Sequence, residues 1–108
     1  MMNNTSIQTS DEPMLSSRRY HAVSEHLSSN LNGESVILSL KNGKYYGFNS
    51  VAATIWAALQ IPATIAEIEA SVMQEYEVDA TVCRQKVSSF LKEMTKEGLI
   101  RISDEKPY

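Results

Sequence analysis

Few side chains in this sequence are suited to chemistry. They are His21, His26, the single Cys83, and the acidic residues Glu67, Glu69, Glu75, Glu77, Glu93 and Glu97. A metal site needs three or four ligands at short spacing, and the two histidines have only Glu25 beside them. Cys83 paired with a histidine would make an activated nucleophile. It falls instead on the apolar stripe of a helical segment, where a free cysteine packs as a small hydrophobe. The carboxylates lie between apolar positions on solvent faces, so paired acid–base catalysis has no gathered pair to use. A glycine-rich phosphate loop, a GxSxG elbow and an HExxH helix are all absent. These residues point away from an enzyme and call for no metal or cofactor.

The elements that could present a binding surface are better marked. Residues 34–40 alternate as a strand, with Val36, Leu38 and Leu40 on one face and Ile37 on the other. Asn42-Gly43 is a strong hairpin signal, because a two-residue type I′ turn needs positive φ at both central positions. That turn sets Leu40 opposite Tyr45, Ser39 opposite Tyr46 and Ile37 opposite Phe48. The return strand runs from Lys44 to Phe48. A first strand is expected within residues 19–27, and residues 28–34 read as a loop.

Three helices follow. Asn49 or Ser50 caps the first, with Val51, Ile55, Trp56 and Leu59 on one face. Thr64 and Glu67 form a capping box for the second, with Ile65, Ile68, Val72 and Met73 inward. Asp79 caps the third, whose stripe is Cys83, Val87, Phe90, Leu91 and Met94, and Gly98 ends it in a left-handed conformation. Residues 99–102 are a short apolar extension over the core. The order predicts an α+β domain of the winged helix-turn-helix kind: a three-stranded antiparallel sheet followed by three helices. Its expected bounds are residues 18–103. Residues 1–17, polar and low in apolar surface, are expected to be a disordered tail, with a second short tail at 104–108.

The return strand, Lys44-Tyr45-Tyr46-Gly47-Phe48, is short, aromatic and expected at the sheet edge. Edge strands are usually blunted by charge, proline or a bulge, and here only Lys44 serves. Gly47 clears space above one face. Val82, Lys86, Ser89 and Glu93 run along one flank of the third helix. If that flank borders the edge strand, the two form a groove for an extended peptide. The backbone of Tyr45–Phe48 would pair with the peptide, Val82 and Phe90 would wall the pocket, and Lys86 would meet an acidic side chain.

The 108 residues make one domain with a small core, and the net charge is −3. That balance and the lack of a basic run disfavour nucleic acid. The alternative reading, a winged helix-turn-helix DNA-binding regulator, draws on the helix order and on Arg84, Gln85 and Lys86 near the start of the third helix. The N-terminus lacks the basic and apolar regions of a signal peptide, and no apolar run is long enough to span a membrane. With one cysteine, the chain reads as a cytoplasmic protein without an intrachain disulfide.

Several of these pieces together resemble the PqqD-like family. They are Gly43-Lys44-Tyr45-Tyr46-Gly47-Phe48-Asn49, then Ala52 or Ala53, then Ile55-Trp56; Thr64-Ile65-Ala66-Glu67-Ile68; and Val87, Phe90-Leu91, Met94 and Gly98-Leu99. The likeness covers roughly residues 20–102. Phe48 departs from it, since the family more often has leucine there, and the polar N-terminal tail is unexplained by it. The resemblance implies a non-catalytic recognition element for ribosomally made, post-translationally modified peptides. Such domains bind the leader segment of a precursor as an added strand and present it to a maturation enzyme. A leader protease and a cyclase of lasso-peptide biosynthesis are the first expectation for that partner. A radical-SAM enzyme, as in pyrroloquinoline quinone biosynthesis, is the other. Monomer and weak dimer are both compatible with an open edge.

Overall fold

The computed structural model describes residues 18–31 and 34–104. The expected tail at 1–17, residues 32 and 33 of the expected loop, and residues 105–108 lie outside the described residues. The elements run β1 (Arg18–Ala22), β2 (His26–Leu31), β3 (Glu34–Ser39), β4 (Tyr45–Phe48), α1 (Ser50–Ala58), α2 (Ile65–Glu75), α3 (Ala80–Lys96) and β5 (Ile100–Asp104). The three-stranded antiparallel sheet has the order β2-β3-β4, and β1 and β5 form a separate two-stranded ribbon.

The N-terminal part differs from expectation. Residues 19–27 are not one strand. The chain bends at Ser24-Glu25, so Arg18–Ala22 pairs with the C-terminal strand while His26–Leu31 pairs with β3. Residues 28–31, expected as loop, belong to β2. Their Ser-Ser-Asn composition hides the strand, because backbone pairing with β3 and not burial holds it. β1 is fastened on its other side as well. Tyr20 and Ala63 exchange backbone hydrogen bonds at 2.8 and 2.9 Å, and the Ala22 amide donates to Leu59 at 2.8 Å.

The β3–β4 turn is also longer than expected. The observed register sets Leu38 opposite Tyr45, Ile37 opposite Tyr46 and Ser35 opposite Phe48, a shift of two residues. The Ser39 amide donates to the Lys44 carbonyl at 2.9 Å, and the Gly43 amide donates to the Ser39 carbonyl at 2.8 Å. Leu40–Gly43 thus form a four-residue loop, with Gly43 at φ 72°. Side chains make the longer loop favourable. The Ser39 hydroxyl accepts from the Lys41 and Asn42 backbone amides at 3.3 Å, and the Asn42 side-chain Oδ1 accepts from the Lys44 amide at 2.8 Å. A two-residue shift keeps every side chain on its expected face.

The helices cover one side of the sheet. Ile37, Ser39 and Phe48 are buried there against Ile55, Trp56 and Leu59 of α1 and its C-terminal cap. The opposite face leaves Leu27, Leu31 and Tyr45 exposed. The expected caps are all present: the Asn49 side chain accepts from the Ala52 amide, Thr64 and Glu67 close a capping box, and Asp79 accepts at the start of α3. At the other end of α3 the Leu99 amide donates to the Met94 carbonyl and the Gly98 amide to the Thr95 carbonyl. With Gly98 at φ 83°, this is a Schellman termination, and it drops Leu99 and Ile100 into the core. Met73, expected inward, is exposed, because Ile68 and Val72 already fill the α2 contact and Met73 lies at the stripe's margin.

Candidate functional site

β4 lies at the edge of the sheet. In an antiparallel ladder, hydrogen-bonded and non-bonded pairs alternate. Ser39 bonds to Lys44, so in this register Ile37 bonds with Tyr46 and Ser35 with Phe48. The N–H and C=O groups of Tyr45 and Gly47 therefore point away from the sheet, along its open edge. Tyr45 is 72 % exposed, and a Cβ added at Gly47 would meet nothing within 4 Å. Gly47 thus marks clear space at the edge and no close approach from elsewhere in the chain.

Beside this edge, on the helix side of the sheet, is a cavity of about 380 Å³. Val51, Ala52 and Ile55 of α1 form one wall, and Lys86, Ser89 and Phe90 of α3 the other. Asn49, which caps α1, and Glu93 also reach it. Phe90 packs edge-on against Phe48 at 5.2 Å between centroids, and Phe48 against Trp56 at 5.7 Å. That aromatic contact brings α3 to the edge strand, the condition on which the sequence reading made a groove depend.

The expected site residues do not all take the same part. Lys86 and Phe90 line the cavity. Val82 is exposed on the same helix but does not line it. Phe48 is buried with its backbone turned to β3, so it offers no pairing groups; it does not line the cavity but backs Phe90, which does. Tyr46 is half-buried, and its backbone too is used by β3. Sequence reasoning missed the α1 wall of Val51 and Ala52, since Val51 read as part of the buried stripe and Ala52 offers no signal beyond its small size.

Tyr46 and Lys44 serve a clamp at the turn end of the strand. The Tyr46 hydroxyl donates to a Glu97 carboxylate oxygen at 2.8 Å, and the Asn42 amide group donates to the Tyr46 hydroxyl at 2.9 Å. Asn42 also reaches the Glu97 carbonyl at 3.3 Å, and Lys44 Nζ lies 3.7 Å from the Glu97 carboxylate. The Tyr46 hydrogen bond, then the Lys44 charge, holds the Glu97 carboxyl below its ordinary value. Desolvation and the bond to Glu97 push the Tyr46 phenol up. The network ties the hairpin to the end of α3 and so fixes the groove at that end. Asn42 reads as a turn residue in sequence, and nothing there signals its second contact.

The other chemical candidates have structural roles. Cys83 is fully buried, and desolvation raises its thiol, which opposes thiolate chemistry. His26 makes a 2.8 Å hydrogen bond with the Val23 carbonyl and packs edge-on against Trp56. Among the described residues, no group of three or more His, Cys, Asp or Glu could hold a metal ion. Arg84 is held in a forked pair by Glu69, at 2.7 and 3.1 Å, which draws it away from any base edge. No helix among the described residues is long and apolar enough to cross a membrane.

The fold is shared with solved structures. One, described as TbiB1 in complex with the TbiA(beta) leader peptide, superposes with a TM-score of 0.67 at 26% identity, covering 75% of this chain and 94% of that one. Another, described as lasso peptide synthetase B1 complexed with the leader peptide, gives a TM-score of 0.66 at 21% identity, covering 76% and 96%. The second likeness speaks for the fold alone. No curated protein matches the chain. The family profile described as coenzyme PQQ synthesis protein D (PqqD) matches residues 34–100, from the start of β3 to the start of β5. That span holds the edge strand, both walls of the groove and the clamp, and on it the protein belongs to the PqqD family.

Proposed function

We propose that this protein is a non-catalytic adaptor that binds the leader segment of a ribosomally made precursor peptide by strand addition to β4. The bound precursor is then delivered to a maturation enzyme. A leader protease acting with a cyclase in lasso-peptide biosynthesis is the favoured partner, and a radical-SAM enzyme the other. The observation that carries the reading is the outward direction of the Tyr45 and Gly47 backbone groups beside the α1–α3 cavity. Main-chain hydrogen bonds to those groups supply affinity, and the cavity supplies side-chain selectivity. Lys44 and Tyr46 hold the strand, Phe48 backs Phe90 in the α3 wall, Lys86 lines the same wall, and Val82 stands exposed on α3 outside the cavity. The TbiB1 structure, described as a leader-peptide complex, supports the choice of ligand.

A fluorescence-anisotropy titration tests this reading. The probe is a labelled leader from the short precursor encoded beside the gene, with a labelled DNA duplex as control. Saturable binding of the leader alone is expected. Binding of the duplex alone would put the DNA-binding regulator in its place.

A further inference from the structure

We infer that the groove selects a charge-ordered strand: an acidic, an apolar and a basic side chain at alternate positions, in that order from the peptide's N-terminus. This rests on the strand-addition reading above and names the class of peptide it takes. β4 and α3 run in opposite directions along the groove. Tyr46, early in the strand, reaches Glu97 at the end of the helix, while Phe48 packs on Phe90 about two turns earlier. A strand added antiparallel to β4, as β2 and β4 both are to β3, then runs with α3, from Lys86 toward Glu93.

Alternate side chains of such a strand face the helices. Along α3, Lys86 and Glu93 lie on either side of Phe90 in the cavity's lining, and Val51, Ala52 and Ile55 of α1 form the facing wall. Two helical turns separate them by about 10 Å, and the outer two of three alternate strand positions stand about 13 Å apart. Long side chains bridge that difference. Both are exposed, and among the described residues neither side chain has a hydrogen-bond or ion-pair partner. Nearby Arg84, Glu69, Glu97 and Lys44, by contrast, are already paired. The apolar middle seats one side chain, and the two unpartnered charges fix which way the strand lies. Opposite charges placed across an interface set register and suppress wrong partners more than they add affinity.

The test uses two short fluorescein-labelled peptides, identical except for a central Glu-Thr-Leu-Thr-Lys or its charge reversal, Lys-Thr-Leu-Thr-Glu. The first is expected to bind about fivefold more tightly, two rim pairs of ordinary strength. The double variant Lys86→Glu with Glu93→Lys should reverse the preference. Both substitutions are on the exposed surface, so folding is not at stake. Equal saturable affinity for the two peptides, lost in Gly47→Pro, would overturn the charge order and leave strand addition standing. Saturable binding that Gly47→Pro leaves intact would place the peptide elsewhere and overturn both. No saturable binding of the first peptide overturns the motif, and the natural leader titration then judges strand addition by itself.

Discussion

The sheet has two open edges, β2 and β4, and each has a cavity beside it on the helix side. The β2 cavity is the larger, about 440 Å³ against about 380 Å³. Its surroundings differ in chemistry. Ser28, Ser29, Asn30 and Ser35 line it along the sheet, and Ile37, Ala53, Trp56 and Ala57 supply its apolar part, so a side chain entering there meets aromatic and aliphatic surface bordered by neutral polar groups. The β4 cavity has a similar apolar share, from Phe90, Val51, Ala52 and Ile55, but its polar lining includes Lys86 and Glu93, two charges without a partner among the described residues. Apolar burial is the main source of binding free energy, and charge then orders it. The two edges share outward backbone groups and an apolar recess, so the charged lining is what distinguishes β4, and the proposed choice of that edge rests on it.

Proline substitution gives the largest expected effect. By the same ladder alternation, Leu27 and Ser29 bond to β3, so Ser28 and Asn30 turn outward on the β2 edge. Proline is tolerated on an edge where the lost amide faces outward, so Gly47→Pro and Ser28→Pro should both fold. In leader titrations, Gly47→Pro or Tyr45→Pro is expected to weaken binding by roughly a hundredfold, through a lost hydrogen bond and a ring in the pairing path. Ser28→Pro should leave it unchanged. Equal losses at the two edges would dissolve the contrast.

Filling the groove should come next. Ala52→Trp places a large ring in the β4 cavity and is expected to cost about tenfold or more in leader affinity, a steric loss at the centre of the contact. Ala53→Trp, directed to the β2 cavity, is its matched control and should cost little. Lys86→Glu alone is a rim change and should weaken binding a fewfold, more at low salt than at high salt.

The clamp provides a pH signature at the β4 side only. The folded Glu97 carboxyl lies below its ordinary value of 4.5, so the unfolded chain binds its proton first. Its stabilising contribution is fully present above that value and is lost as pH falls through the depressed folded one. Thermal melts should therefore show Glu97→Gln less stable than the parent near neutrality. The gap should close on acidification. A gap of constant size would remove Glu97's charge from the account.

The helices and their ends were legible in the sequence because the signals are local. Asn49, Thr64 with Glu67, Asp79 and Gly98 each act within one turn of their own position. The edge strand was legible for the same reason. What sequence reasoning missed depends on distant parts of the chain. β1 finds its partner in β5 at the far end, and the polar run at 28–31 becomes a strand only because β3 pairs with it. The turn register slipped because Ser39 and Asn42 side chains satisfy a longer loop better than an Asn-Gly pair does alone. At the site, Phe90 and Lys86 could be placed on a helix flank, but the opposing α1 wall and the Asn42–Tyr46–Glu97 clamp follow from how the helices pack.

The central claim is that the leader pairs with the β4 edge, and residue-resolved amide hydrogen exchange tests it most directly. On adding the leader, the Tyr45 and Gly47 amides are expected to slow together, while Ser28 and Asn30 exchange as before. Slowing at Ser28 and Asn30, or none at either edge while the leader is bound, would contradict strand addition at β4.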